Sequence, residues 1–267
     1  ADYERQLEDA FRYMADNGYN SVKTGYVGYI IPRSEYHSSQ WMNNHYIHVV
    51  KRAAEYKIMV DSHEAVRPTG LCRTYPNWLA QESARGGEFE SMGGNDPDHT
   101  TILPFTRLKG GPMDYTPGTF SNSQHPHITS YAHELALPVI FESALQHMPD
   151  RPSVYYGLPE PVKRLLSELP VAWDDTKLLA GYPGEEVILA RRKGDVWYIG
   201  GINGTNETKT LHISLDKIAV NGKKISIFKD GIDDKHFAIE ENIPLANVKS
   251  DLTIECLPRG GFVAVIK

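Results

Sequence analysis

The spacing of apolar positions changes along the chain and divides it. Leu7, Phe11 and Met14 recur at helical spacing within residues 3 to 17, and Gly18 follows, so an amphipathic helix that stops at this glycine is predicted. Asn20-Ser21-Val22-Lys23-Thr24 reads as a short strand with the small or polar tip Lys23-Thr24-Gly25-Tyr26. A second helix is predicted from about Ser38 to Tyr56, with Trp41, Ile47, Val50 and Ala54 on one side. It feeds the run Lys57-Ile58-Met59-Val60, a buried strand that ends in Asp61-Ser62-His63-Glu64. Alternating helix and strand signals are the pattern of β/α units on a parallel sheet, which puts Lys23 and His63-Glu64 at strand tips on one edge.

Beyond this point the elements shorten. Glu82 is expected in a short helix opened by Tyr75-Pro76-Asn77, and Glu88 follows Gly86-Gly87, where the backbone can turn sharply. Residues 93 to 125 are rich in turn residues around a short strand from Thr101 to Phe105. A helix from about Ser130 to Gln146 is apolar on most faces, and another runs from about Pro161 to Ser167. After Trp173-Asp174-Asp175, residues 186–191, 196–200, 208–215, 225–229, 252–257 and 262–266 are predicted as antiparallel strands. The expected fold is an α/β segment, residues 1–171, followed by an all-β antiparallel, sandwich-like domain, residues 172–267.

Composition acts mainly by exclusion. The net charge of −6 is spread over both signs without a basic block, so the electrostatic footprint of a nucleic-acid binder is missing. No run approaches the roughly eighteen apolar residues of a membrane-spanning helix. Cys72 and Cys256 show no CxxC spacing and read as free thiols. A closed eight-stranded (β/α)8 barrel takes about 250 residues, whereas the first segment has room for about four or five units at roughly thirty residues each. The chain begins Ala1-Asp2-Tyr3 without a methionine. It is therefore expected to be the C-terminal portion of such a barrel, with the early strands upstream.

Candidate chemistry gathers at Glu64, Glu82 and Glu88, with His63, Arg67 and Arg73 close by in sequence. Three carboxylates in one pocket do acid–base chemistry, hold a hard metal ion, or both. Lys23 and His63 suit sugar hydroxyls, and Tyr26, Trp78 and Tyr115 suit apolar sugar faces. The set fits glycoside hydrolysis, in which one carboxylic acid protonates the leaving oxygen and a second carboxylate activates water or attacks the sugar. Other residues have plainer readings: His37, His45 and His48 as surface or packing histidines, His133-Glu134 as a structural pair, Asp114 as a loop cap or a partner of Arg107.

A family resemblance adds to this. It is carried by Val22-Lys23-Thr24-Gly25-Tyr26-Val27-Gly28, His63-Glu64-Ala65-Val66-Arg67-Pro68-Thr69-Gly70, Arg73-Thr74-Tyr75-Pro76-Asn77 and Arg85-Gly86-Gly87-Glu88. Leu103-Pro104-Phe105-Thr106-Arg107 and Gly111-Pro112-Met113-Asp114-Tyr115-Thr116-Pro117-Gly118 extend it. On these runs the chain resembles glycoside hydrolase family 97, within it the inverting, calcium-dependent α-glucosidase branch found in starch-utilisation systems of gut Bacteroides. The resemblance implies Glu88 as general acid, Glu64 as general base acting on water, and Glu64, Glu82 and Glu88 as oxygen donors to Ca2+. It also implies Lys23 and His63 as contacts to the hydroxyls of an oligosaccharide substrate, and a periplasmic or extracellular location. An N-terminal β-sandwich and early barrel segment of the same protein are the implied partners, supplying a further base glutamate and a calcium ligand.

In the retaining branch of the family, which includes α-galactosidases, a nucleophilic aspartate occupies the strand tip where this chain has Gly25. Glycine has no side chain to attack with, so water attack with inversion is expected. Asp61 is the nearest rival nucleophile, and its alternation with His63 is expected to point it elsewhere. The alternatives are an α-galactosidase or other α-glycosidase of the same family, and a non-catalytic carbohydrate-binding module.

Overall fold

The computed structural model describes residues 2–26, 28–30, 34–64, 67–121, 128–220, 223–245 and 251–267. Val27, Ala65, Val66 and residues 122–125 of the turn-rich stretch lie outside the described residues. Two compact units emerge, the first formed by Ala1–Gly86, Arg107–Tyr115 and Ser143–Leu145, the second by Gly87–Thr106, Thr116–Glu142 and Gln146–Lys267.

The first unit opens with α1 (Asp2–Asp16), which buries one stripe, Leu7 and Phe11, and ends before Gly18 at φ +79°. Next come β1 (Ser21–Thr24), a small hairpin of β2 (Tyr29–Ile30) and β3 (Glu35–Tyr36), and α2 (Gln40–Glu55). Ser39 caps α2 by accepting the Met42 N–H. The unit continues with β4 (Met59–Ser62), α3 (Leu71–Thr74) and β5 (Trp78–Gln81). The sheet order is β1-β4-β5, all parallel, with Lys23 opposite Asp61 and Ser62 opposite Gln81. Its core joins Leu7, Phe11, Met42, Tyr46, Val49, Val50, Ile58, Val60 and Trp78.

Two expectations are corrected here. Glu82 follows a strand rather than sitting in a helix, because the Asn77 amide donates to the carbonyls of Val50 (2.9 Å) and Ile58 (3.3 Å) and sets residues 78–81 against β4. Trp78 is a core residue whose indole N–H donates to Ser62 Oγ at 3.0 Å, so its ring does not face a ligand. Three hydrogen-bonded parallel strands are present among the described residues, and a closed barrel is not seen.

The second unit carries a short 3-10 helix at Gly87–Met92, then α4 (His99–Ile102), α5 (Tyr131–Ile140), α6 (Pro152–Tyr156) and α7 (Glu160–Glu168). Among the described residues eight strands follow: β6 (Asp175–Tyr182), β7 (Glu186–Lys193), β8 (Val196–Asn203), β9 (Lys209–Ser214), β10 (Lys224–Asp230), β11 (Phe237–Pro244), β12 (Asp251–Cys256) and β13 (Gly261–Ile266). Six form one antiparallel sheet in the order β11-β10-β13-β8-β7-β6, and β9 pairs with β12 in a second. Ile188, Ile199, Phe262 and Ala264 of the large sheet meet Leu211, Ile213, Leu252 and Ile254 of the small one in a single core.

The expected strand from Thr101 to Phe105 is instead α4 running into a 3-10 turn, Leu103–Phe105. The hydroxyls of Thr101 and Thr106 bond back to the carbonyls of Asp98 (2.7 Å) and Ile102 (3.0 Å), which favours helical turns over extension. The helix expected to reach Gln146 stops at Ile140, two residues after Pro138. Strands β6 and β11 are additions to the expected set.

α5 lies on β8 and β13 at positions without side chains. A Cβ on Gly261 would stand 2.7 Å from His133 Cα and 2.9 Å from the Gly201 carbonyl, and one on Gly200 3.1 Å from the Ala136 carbonyl. The helix ends are tied to the same sheet. Asp230 accepts from Ser130 at the N-cap and from the N–H groups of Leu257 (2.9 Å) and Gly261 (3.0 Å), while Arg191 donates to the carbonyls of Val139 (2.6 Å) and Ile140 (2.8 Å). His133 bonds Thr100 (2.9 Å) and the Gly260 carbonyl (3.2 Å), and Glu134 accepts from Thr129 Oγ1 (2.8 Å) and the Gly118 N–H (3.1 Å), so both are structural. Gly261→Ala is expected to cost about 1–3 kcal/mol through overpacking, read as a lower urea midpoint at unchanged slope; a midpoint equal to wild type would show that the helix does not sit this close.

Candidate active site

The register of the parallel sheet builds the site. Because β1, β4 and β5 run the same way, their C-terminal tips fall side by side: the His63 N–H donates to the Thr24 carbonyl at 2.6 Å and the Glu82 N–H to the Ser62 carbonyl at 2.9 Å. The segment after Gly111 adds a further edge. Met113 bridges Gln81 in parallel, and the Asp114 N–H donates to the Gln81 carbonyl at 3.3 Å. Lys23, Asp61, His63, Glu64, Glu82 and Asp114 thus belong to one row of neighbouring strand ends in the first unit.

Arg107 holds this edge. Its buried guanidinium donates to the carbonyls of Gln81 (2.7 Å), Glu82 (3.1 Å), Gly111 (2.9 Å) and Pro112 (3.1 Å), and burial lowers its pKa to about 10. The carbonyls that a strand leaves unpaired at its tip are satisfied in this way, and Glu82 is set in place by its own backbone.

The acidic side chains are linked through His63. Its Nε2 lies 2.7 Å from Asp114 Oδ2 and 3.7 Å from Asp61 Oδ2, and its Nδ1 lies 3.4 Å from Glu82 Oε2. The exposed Lys23 places Nζ 3.6 Å from Asp114 Oδ2. Asp61 and Asp114 are both fully buried. Burial first, then a hydrogen bond to Asp114 and its charge, push the Asp61 carboxyl up to about 9, so near neutrality Asp61 holds a proton. The expectation that Asp61 points away from His63 is corrected, since residues two apart in a strand share a face. A buried, protonated carboxyl is also a poor nucleophile.

Glu64 sits in a strained turn. Its φ of +47° is left-handed, a conformation that costs a residue with a Cβ on the order of 1–3 kcal/mol. Two contacts hold it there. The Glu64 N–H donates to Glu82 Oε2 at 2.9 Å, and the buried Tyr46 hydroxyl donates toward the carbonyls of His63 (3.1 Å) and Glu64 (3.2 Å). Burial, with the charges of Glu64 and Glu82 nearby, raises the Tyr46 pKa and keeps this phenol a donor. The Glu64 carboxylate reaches over Gly25, where a Cβ would stand 2.6 Å from Oε2 and 3.0 Å from His63 Cβ.

Glu88 belongs to the second unit. It is exposed on the 3-10 helix Gly87–Met92, and its N–H donates to Thr116 Oγ1 at 3.2 Å, a threonine itself at φ +57°. The sugar-facing aromatic set is not realised as a platform. Tyr115 is buried, and Tyr26 is half-buried with its hydroxyl 2.8 Å from His45 Nε2. His45 also bonds Glu4 at 2.8 Å and is a packing residue. By type the carboxylates of Glu64 and Glu82 suit a hard cation such as Ca2+, while the donor atoms that lie within 4.8 Å of one another include those of Asp61, His63 and Asp114. Sequence reasoning missed Arg107, Tyr46 and the part played by Asp114. The one available signal was the Gly110-Gly111-Pro112 turn that aims Met113-Asp114 along β5.

The family model described as "Glycoside hydrolase 97" matches residues 1–84, and the one described as "Glycosyl-hydrolase 97 C-terminal, oligomerisation" matches residues 172–267. A protein named "Retaining alpha-galactosidase" from Bacteroides thetaiotaomicron is 31% identical over 282 residues, covering 99% of this chain and 41% of that protein. A glycoside hydrolase family 97 enzyme from Pseudoalteromonas sp. strain K8, solved in complex with acarbose, superposes with a TM-score of 0.90 at 33% identity, covering 100% of this chain and 45% of that one. The same description with panose gives a TM-score of 0.89 at 33% identity, covering 99% and 44%. The chain thus spans less than half the length of these relatives. With both ends matched by models of one family and relatives alike along its whole length, the chain belongs to glycoside hydrolase family 97.

Proposed function

We propose that the whole protein hydrolyses α-glucosidic bonds of an oligosaccharide with inversion, Glu88 acting as general acid and Glu64 as the base that activates water. In this reading residues 1–171 are the C-terminal part of a (β/α)8 catalytic barrel and residues 172–267 its antiparallel C-terminal domain. An N-terminal β-sandwich and early barrel strands of the same protein complete the enzyme, which works in the periplasm or outside the cell. Among the described residues no helix is long and apolar enough to cross a membrane.

The observation that carries the inverting reading is the room at Gly25. Retention needs a side-chain nucleophile at the sugar, yet Gly25 offers none and the space of its missing Cβ is taken by the Glu64 carboxylate. A carboxylate placed where a nucleophile would stand is suited to hold a water molecule for attack. Asp61, protonated and buried, does not fill the role. Lys23, exposed beside Asp114, is placed to meet a sugar hydroxyl, with His63 adjoining it. Glu64, Glu82 and Glu88 are the proposed donors to Ca2+, which supplies positive charge that offsets the crowding of carboxylates.

A second reading, retaining α-galactosidase chemistry, is favoured by the name of the Bacteroides thetaiotaomicron relative. Two measurements on the full-length protein separate the readings. Proton NMR of the first product of an α-glucoside is expected to show the β anomer, and an α anomer formed first would replace inversion with retention. Turnover of an aryl α-glucoside is expected to vanish with a chelator and return with added Ca2+; turnover indifferent to the chelator removes the metal from the scheme. Gly25→Ala forces the Glu64 carboxylate aside, and kcat/KM is expected to fall about 100-fold, as for a catalytic group misplaced by about 1 Å. A variant as active as wild type would show that Glu64 does not act from this position.

A further inference from the structure

We propose that Asp114 is a positioning residue: it aligns Lys23 and His63 and, through the His63 ring, fixes the Glu82 carboxylate. This inference rests on the glycosidase reading for its kinetic consequence, though its geometry stands independently.

The backbone of Asp114 is set by the sheet, through the parallel bridge of Met113 to Gln81 and the bond from the Asp114 N–H to the Gln81 carbonyl. From there its Oδ2 reaches His63 Nε2 at 2.7 Å and Lys23 Nζ at 3.6 Å. The other ring nitrogen of His63 faces Glu82 Oε2 at 3.4 Å, and that oxygen accepts the Glu64 N–H at 2.9 Å. A polar chain therefore runs Lys23, Asp114, His63, Glu82, Glu64, and it touches the tips of β1, β4 and β5 in turn. His63 is buried with both ring nitrogens turned to carboxylates, so it acts through Glu82, and the exposed Lys23 is the end of the chain that meets the sugar.

Asp61 shows how a single anion serves both neighbours, Lys23 and His63. A carboxyl oxygen of Asp61, one of Asp114 and a ring nitrogen of His63 lie within 4.8 Å of one another. Two carboxylates this close in a buried site do not both ionise; one keeps the proton and the other the charge. Here Asp61 keeps the proton, for it is raised by burial and by Asp114. The two aspartates are thus equal in size and burial but unequal in role.

That inequality gives the test. Asp114→Asn and Asp61→Asn are both isosteric, and a merely structural pair would suffer alike. In the full-length protein, Asp114→Asn is expected to lower kcat about 10- to 100-fold with a smaller change in KM, while Asp61→Asn, which mimics the protonated acid, stays within about threefold of wild type. Equal losses, or an Asp114→Asn variant within threefold of wild type, overturn the proposal. Independently of turnover, 15N-histidine labelling is expected to show a slowly exchanging His63 ring N–H in wild type and in Asp61→Asn, lost in Asp114→Asn. A signal unchanged by Asp114→Asn overturns the assignment even if the protein proves to have no glycosidase activity. Should Asp114→Asn not fold, His63→Gln breaks the same chain and is expected to show the same fall in kcat; unaltered kcat then overturns the proposal.

Discussion

Parallel strands that end at one level bring like charges and like dipoles together, and the organisation of the first unit follows from how that accumulation is relieved. Asp61, Glu64, Glu82 and Asp114 all lie in this row of strand ends, together with carbonyl oxygens that the sheet no longer pairs. Relief comes in three forms. Arg107 takes the carbonyls, Lys23 and His63 face the carboxylates, and one proton stays on Asp61. Each device fixes a side chain as well as a charge, which is why a row of acids becomes a defined site.

The second unit solves a different problem. β13 is buried along its whole length, between α5 on one face and the β9-β12 pair on the other. A strand covered twice needs a close helix, and Gly200 and Gly261 provide the approach. The helix ends then become buried, so Asp230 and Arg191 must reach from the sheet to cap them.

Much of this was legible in the chain itself, and what was not depended on distant partners. The helix through Leu7 and Phe11 declares itself by period, as do the strands leading to Lys23 and Glu64; the second helix forms as expected but buries Met42, Tyr46, Val49, Val50 and Ala53, leaving Trp41 and Ile47 at the margin and Ala54 exposed. β6 and β11 escaped because they are the edges of the large sheet, where one face or both stay wet and no apolar alternation is enforced. The strand before Glu82 escaped because its start is set by an Asn77 amide bonded to residues far away in sequence. The strand tips at Lys23 and His63-Glu64 follow from the local pattern, whereas the place of Asp114 beside Lys23 and His63 depends on residues far away in sequence. Asp61 lies on the face of His63, as the two-residue period of a strand requires.

The void at Gly25 has a bearing on how such sites diverge. The Glu64 carboxylate occupies the volume that a side chain at position 25 needs, so the two positions are epistatic and cannot be changed in either order with equal ease. An acid introduced at position 25 while Glu64 is intact meets an occupied space and a like charge, and the intermediate form is handicapped before it gains anything. Shortening Glu64 first removes the closer of the two obstacles, and the second change then has only the His63 Cβ at 3.0 Å to displace. The missing side chain at position 25 thereby imposes an order on changes at positions 25 and 64.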